Sequence, residues 1–337
     1  MTLRAAVVGV GMIGSLHARV YAEHPETELL AVADTRPERA REVGEALGAR
    51  WYADVEEMLA REDVDLASIA TPEQGRLAAA RACARAGAHL FLEKPLAPTL
   101  AEVDELIREV EAAGVTATVD FMLRSDPRYR RAKEALKEGT IGELCTIFAR
   151  RRLTVAAAEQ YAPWTDLLIT VAIHDLDVMA WLADSPVERV YAEGVVRRCG
   201  RYGREDAVLG LLRFASGAAA SFETSWALPP TMPAPLDVSL HVVGTEGGVF
   251  LDGAHHGFRV VTPEGFFLPD LAHWPVGPEG VEGDLRAHID RFVRALRAGT
   301  PPPVSLADAR YAQQLAEALR ASLERAAPVA LAQGAAS

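Results

Sequence analysis

Residues 3–14 read Leu3-Arg4-Ala5-Ala6-Val7-Val8-Gly9-Val10-Gly11-Met12-Ile13-Gly14. An apolar run of small and β-branched residues leads directly into G-x-G-x-x-G, and residues 12–23 then take up a helical period. Strand, glycine turn and helix in that order is how a dinucleotide-binding unit begins. Gly9 permits the tight turn, Gly11 lets the backbone approach a pyrophosphate, and Gly14 lets the helix lie close on the strand. The amides of Met12 and Ile13 open the helix, where N–H groups and the positive dipole end favour phosphate. Asp34 closes the second apolar run 20 residues after Gly14, a position from which an acid accepts the ribose 2′-hydroxyl. The same carboxylate repels a 2′-phosphate, so NAD is expected rather than NADP. Arg36 reads as a solvated residue before Pro37 at a helix start, although its charge would soften that repulsion.

Working outward, apolar β-branched runs recur at 28–33, 65–70, 88–92 and 115–120, with helical periods at 37–47, 75–87 and 99–113. This alternation predicts an α/β fold beginning with a doubly wound parallel Rossmann sheet covered by helices. Thr99 with Glu102 forms a capping box, and Gly114 stands at a helix C-terminus. Beyond residue 122 the texture changes. A helix is expected at 127–138, a strand at 143–152, a loop at 153–166 and a helix at 167–183. Several strands without intervening helices follow over 187–261, then a Pro- and Gly-rich loop at 262–281 and helices at 282–298 and 305–325. The expected division is an NAD(P)-binding domain over 1–122 and a substrate-binding and oligomerisation domain over 123–337. The second is α/β with a large, mostly antiparallel open sheet, and the last helix packs back on the first domain.

The 337 residues are 50% hydrophobic and 24% charged, a globular balance that excludes a disordered or collagen-like chain. A net charge of −12 without a long basic tract weighs against nucleic acid and anionic membranes as partners. The three cysteines, Cys83, Cys145 and Cys199, are far apart and odd in number, which points to a reducing, cytoplasmic compartment. Residues 4–16 loosely mimic a signal peptide but read better as the glycine turn and its helix. No apolar run reaches the roughly 18 residues of a membrane helix.

Lysine occurs only at Lys94, Lys133 and Lys137. Glu93-Lys94-Pro95 ends the run 88–92, and ligands of open parallel sheets bind beyond the carboxyl ends of strands. Beside a cationic nicotinamide ring, the Lys94 amine would have a lowered pKa and exchange protons with a substrate hydroxyl. On its own the residue reads more readily as a surface lysine on a loop.

The chain resembles the glucose-fructose oxidoreductase, inositol dehydrogenase and rhizopine-catabolism family, Gfo/Idh/MocA. The resemblance rests on GVGMIG with His17, Asp34, Ala70-Thr71-Pro72, EKPLAPTLAEVDEL at 93–106, Arg124 with Pro127, Gly139-Thr140-Ile141-Gly142-Glu143, Trp164, His174-Asp175-Leu176-Asp177 and Gly244-Thr245-Glu246-Gly247. It covers nearly the whole chain. It implies an NAD(P)-dependent oxidoreductase acting on a hydroxyl of a sugar, polyol or cyclitol, and a homodimer or homotetramer built through the C-terminal sheet. It also implies that Thr71, Pro72, Glu93 and Lys94 join the cofactor site, that Lys94 and His174 are catalytic, and that Arg124, Trp164 and Asp177 face substrate.

Two departures stand out. The family's helical pattern D-x-x-x-H-x-x-D has Thr170 where its first acid belongs, and threonine carries no charge to tune His174. The histidine expected after Thr-Pro is replaced near Arg76. The first departure keeps a non-catalytic, dinucleotide-binding regulatory or sensor protein open as an alternative, beside a redox-neutral enzyme of the same fold. The basic residues Arg128, Arg130, Arg131, Lys133, Arg150, Arg151 and Arg152 read as solvated faces, one of them available to an anionic substrate group. Tyr161 and Trp164 can stack on a sugar ring or serve a core. No metal site is expected: His174, Asp175 and Asp177 do not share one helical face, and His255-His256 sits in a glycine-flanked turn.

Overall fold

The computed structural model describes residues 2–234, 236–252, 258–263 and 265–331. The chain divides into two units, Met1–Asp126 with Ala272–Arg310, and Pro127–Leu271 with Tyr311–Ser337. The single break expected at 122/123 is thus replaced by a division in which the first unit takes back a later segment.

The N-terminal alternation folds into β1 (Leu3–Val8), α1 (Met12–Glu23), β2 (Thr27–Ala33), α2 (Pro37–Leu47), β3 (Arg50–Tyr52), α3 (Val55–Arg61), β4 (Leu66–Ile69), α4 (Glu73–Arg85), β5 (His89–Leu92), α5 (Leu100–Ala113) and β6 (Ala117–Val119). The strands form one six-stranded parallel sheet in the order β3-β2-β1-β4-β5-β6. The chain winds outward from β1 both ways, so the carboxyl ends of β1 and β4 flank the switch point. Thr99 accepts from the Glu102 amide at 3.3 Å and donates to its carboxylate at 2.8 Å, closing the capping box of α5.

The second unit opens with α6 (Pro127–Lys137), β7 (Leu144–Thr154) and α7 (Val155–Tyr161). The expected loop at 153–166 is therefore partly helical; Ala156-Ala157-Ala158 favours a short helix directly after the strand. A π-helical turn (Leu168–Ala172) leads into α8 (Ile173–Ala183). The Asp166 carboxylate accepts from the Leu168 and Ile169 amides at 2.9 and 3.1 Å and starts this helix. There follow β8 (Val187–Val195), β9 (Ala207–Phe214), β10 (Ala219–Leu228), β11 (Leu236–Gly244), β12 (Gly248–Asp252) and the hairpin β13 (Val260–Thr262) and β14 (Gly265–Phe267).

The large sheet runs β12-β11-β7-β10-β9-β8, with one parallel pairing, β7 with β10, among antiparallel ones. Alternation decides its two faces. Ile147, Ala149, Ala220, Phe222, Leu212 and Leu240 are buried on one side. On the other, the cross-strand row Phe250, His241, Phe148, Ser221, Leu211 and Tyr191 remains partly or fully exposed.

The chain then re-enters the first unit with β15 (Val276–Gly277), β16 (Gly280–Val281) and α9 (Gly283–Ala298). One face of α9 (Leu285, Ile289, Phe292 and Val293) is buried in the same core as Val10, Tyr21 and Phe91. Burying each of these side chains stabilises by about 1.5–3 kcal/mol, which makes the helix part of the Rossmann unit rather than an appendage. Last come α10 (Leu306–Arg325) and β17 (Val329–Ala330), which pairs with β8. The helix that buries itself in the first unit is thus α9; α10 contributes its first residues there, with Arg310 Nε donating to Asp104 at 2.5 Å.

Candidate active site

The glycine turn has the geometry its sequence requires. Gly9 has φ +85°, and a side chain there would meet the Thr71 amide and the Ala70 carbonyl. A side chain on Gly14 would run into the Gly9 carbonyl. At Gly11 a Cβ would meet nothing within 4 Å, so this face of the turn is open. No side chain caps α1 and no acid stands in its first turn, which leaves the amides of Met12 and Ile13 directed at the open face. Turn and helix together fit a pyrophosphate.

Asp34 is placed by the same loop. Its Oδ2 accepts from the Val10 amide at 3.0 Å and its Oδ1 from the Arg36 amide at 2.9 Å, while Arg36 Nε lies 3.4 Å away. The carboxylate that would accept the ribose hydroxyls therefore also braces the phosphate turn.

Lys94 lies half-buried just beyond β5, and the Lys94–Pro95 peptide is cis. The Glu93 carboxylate accepts from the Lys94 amide at 3.0 Å. Behind it sits a group whose role no motif announces. His17 of α1 is fully buried, and its Nδ1 bonds to Ser68 Oγ at 2.7 Å. Its Nε2 lies 3.5 Å from both Glu93 Oε1 and Asp120 Oδ2. Burial pushes the imidazolium down, but the Asp120 and Glu93 carboxylates outweigh it and hold the His17 pKa up at about 9. Burial pushes Glu93 up, yet His17, Lys94 and Arg76 bring it down to about 2. Asp120 goes the other way, to about 7, because burial and the Glu93 charge both oppose its ionisation. Burial also lowers the Lys94 pKa; Glu93 opposes this and Arg76 adds to it.

Glu93 and Asp120 follow the adjacent strands β5 and β6, so acids at successive strand ends are the signal that would have found the cluster. Among the described residues, His17, Glu93 and Asp120 are the three whose ligand-type atoms lie within 4.8 Å of one another. Nearby, His288 Nε2 donates to the Val119 carbonyl at 2.9 Å and its Nδ1 shares a 2.7 Å hydrogen bond with the Ser125 hydroxyl. Burial takes the His288 pKa down to about 3.

The other residues singled out in the sequence fall as follows. Thr71 and Pro72 form the turn after β4, beside Gly9. Arg124 is buried and pairs with Asp308 at 3.3 Å. In the second unit, His174 stands half-buried at the start of α8, and Thr170, in the π turn, shares a 2.9 Å hydrogen bond with the Thr165 hydroxyl. Asp177 is buried on α8. Asp175 holds Arg151 in a buried fork, both contacts at 3.0 Å. Arg150 and Arg152 pair across the sheet with Asp237 and Glu223, so these three arginines serve the second unit's own acids. Trp164 is 46% exposed, donates to the Gln160 carbonyl and meets Tyr161 edge-on. His255 and His256 lie outside the described residues.

A six-stranded parallel sheet with an open glycine turn and a bracing Asp34 defines a dinucleotide-binding Rossmann protein. Residues 3–121 match the oxidoreductase family with an NAD-binding Rossmann fold, and residues 129–250 match the GFO/IDH/MocA C-terminal domain. The chain belongs to the Gfo/Idh/MocA oxidoreductase family, and NAD is its cofactor. It is 29% identical to the myo-inositol 2-dehydrogenase of Thermotoga maritima, covering 98% of both chains. It is 28% identical to the scyllo-inositol 2-dehydrogenase (NAD(+)) of Bacillus subtilis, over 98% of this chain and 96% of that one. A crystal structure of a probable dehydrogenase from Thermotoga maritima superposes with a TM-score of 0.86 at 29% identity, covering 97% and 99% of the two chains. No helix among the described residues is long and apolar enough to cross a membrane.

Proposed function

We propose that this protein is an NAD-dependent dehydrogenase that oxidises a ring hydroxyl of a cyclitol or a closely similar polyol. The observation that carries the reading is the half-buried Lys94 amine, its pKa lowered, at the carboxyl edge of the sheet whose glycine turn fits the dinucleotide. The substrate class is drawn from relatives named for myo- and scyllo-inositol. Bound NAD supplies the hydride acceptor. The protein's own groups handle the proton: Lys94 takes it from the reacting hydroxyl, and His174 supports the oxygen as charge develops. Met12, Ile13 and the glycines receive the pyrophosphate, Asp34 the ribose, and Thr71, Pro72 and Glu93 border the reactive end. Arg124, Trp164, Thr170 and Asp177 remain the candidates for selecting substrate. We read His17, Glu93 and Asp120 as an ion-paired cluster, not a metal centre.

The exposed row on the large sheet, with Leu211 55% and Phe250 64% accessible, favours a homodimer or homotetramer built through that face. The three free thiols suit the cytoplasm. Thr170, its hydroxyl engaged by Thr165, favours the second reading, a dinucleotide-dependent sensor that turns nothing over. A screen of inositols and other polyols for NADH absorbance separates the two. Turnover is expected with a cyclitol, and Lys94→Ala should lower kcat by about 10²–10⁴-fold with NADH affinity little changed. No turnover at high protein concentration would overturn the dehydrogenase reading, and an unaffected Lys94→Ala variant would remove Lys94 from the mechanism.

A further inference from the structure

Arg76 stands on the first turn of α4 yet is only 3% exposed. Nη1 donates to the Pro95 carbonyl and Nη2 to the Thr71 carbonyl. One planar fork therefore joins the turn after β4 to the cis turn after β5, the two turns that border the glycine loop and carry Lys94. Neither a histidine nor a lysine reproduces a two-pronged donor of that reach.

We propose that Arg76 is the positioning residue for Lys94: its buried guanidinium clamps the Thr71 and Pro95 carbonyls together and holds the Lys94 amine beside a fixed positive charge. The inference rests on the reading of Lys94 as the proton acceptor in turnover. The clamp itself can be read without turnover.

Among the groups acting on Lys94 from its own unit are Glu93 in its own turn, Arg76 and Glu73 on α4, and Asp120 beyond β6. Glu93 is in turn held by His17 of α1. The three acids favour the ammonium, whereas burial and Arg76 favour the neutral amine. Burial brings the Arg76 pKa down to about 10 against the pull of Glu93 and Glu73, which leaves it charged throughout the neutral range. A cation in that place adds to burial in opposing the adjacent Glu93, which favours the ammonium.

The sequence makes this directly measurable, because Lys94, Lys133 and Lys137 are its only lysines. The full-length protein, its lysines labelled with carbon-13 at Cε, gives three titrating signals, and Lys94→Arg assigns one of them. In Arg76→Met the Lys94 midpoint is expected to rise by about 1 pH unit, the size of a single near-charge effect. Lys133 and Lys137 should stay where they are. The acid limb of the kcat/KM profile should rise with Lys94. Arg76→Lys retains a charge without the fork. Its Lys94 midpoint should stay within about 0.3 pH unit of wild type while kcat falls about tenfold at unchanged cyclitol KM, the mark of lost positioning.

A Lys94 midpoint unmoved in folded Arg76→Met overturns the proposal. Should that variant not fold, wild-type kcat in Arg76→Lys overturns it. A moved midpoint in a protein whose Lys94→Ala variant keeps full activity leaves the clamp standing and removes Lys94 from catalysis. The two claims therefore fail separately.

Discussion

Replacing His17 by glutamine removes one buried charge and little volume. The glutamine amide can still reach Ser68, so the loss concentrates on the place of Nε2, which lies 3.5 Å from each of Glu93 and Asp120. A His17 pKa raised from 6.5 to about 9 corresponds to about 3 kcal/mol of native-state preference for the imidazolium. Breaking a buried ion pair by removing one partner costs about 3–5 kcal/mol, so the two routes agree on roughly 3 kcal/mol.

The sign with pH follows from the folded value lying above the unfolded one. The contribution is complete below the unfolded value of about 6.5 and is lost as pH rises through about 9. His17→Gln should therefore be destabilised fully at pH 6 and far less at pH 10, where the wild type has lost the charge as well. Urea unfolding followed by circular dichroism at these two pH values reads the difference. At a slope of about 1.5–2 kcal/mol per molar urea, the midpoint at pH 6 should fall by about 1.5–2 M. At pH 8, above the Asp120 value of about 7, the same change should cost less in an Asp120→Asn background, because one of the two partners has then lost its charge. A cost below about 1 kcal/mol at pH 6, or one that grows toward pH 10, would refute the ion-paired cluster. So would one bound transition-metal ion per chain in the protein as purified, since a ligating His17 must be neutral.

Wild-type protein should bind NADH more tightly than NADPH, and Asp34→Ser should narrow that gap by about tenfold or more as the like charge facing a 2′-phosphate is removed. Fluorescence titration of both nucleotides checks this, and a gap unchanged by the substitution would count against Asp34 as the discriminator. Asp175→Ala leaves the buried Arg151 guanidinium without its carboxylate in the second unit's core, for which about 3–5 kcal/mol of lost stability is expected. A thermal melt indistinguishable from wild type would show the fork at Arg151 to be dispensable.

The Rossmann unit was legible because its evidence is local. β1, α1, β2, α2, β5 and α5 lie within a residue or two of the apolar runs and helical periods that announce them. What escaped was short or non-local. β3 is three residues, Arg50-Trp51-Tyr52, with no apolar run, and α3 is seven residues started by the Asp54 side chain. Such elements exist because neighbours supply the hydrogen bonds and burial. The return of α9 was hidden for a related reason. Its stripe of Leu285, Ile289, Phe292 and Val293 announces an amphipathic helix, but a hydrophobic face specifies burial without saying which core will accept it.

The site divides along the same line. The glycine turn, Asp34 and Lys94 belong to motifs in which a contiguous stretch carries the chemistry, and the sequence alone brings them forward. The charged groups that act on Lys94 come from residues scattered over the first unit. His17 lies on α1, Arg76 on α4, Glu93 after β5 and Asp120 after β6, each ordinary in its local context. In the sequence, His17 and Arg76 stand out only against the family's pattern, and Asp120 does not stand out at all. Only winding the sheet outward from β1 brings the ends of β5 and β6 side by side and turns α1 toward them. Burial then converts four unremarkable ionisable groups into one coupled set. Glu93 favours the Lys94 ammonium, His17 and Arg76 hold Glu93 ionised, and Arg76 joins burial in opposing the charge on Lys94. The departure at residue 76 therefore places a cation among the groups that act on Lys94, on a helix that does not carry the glycine turn.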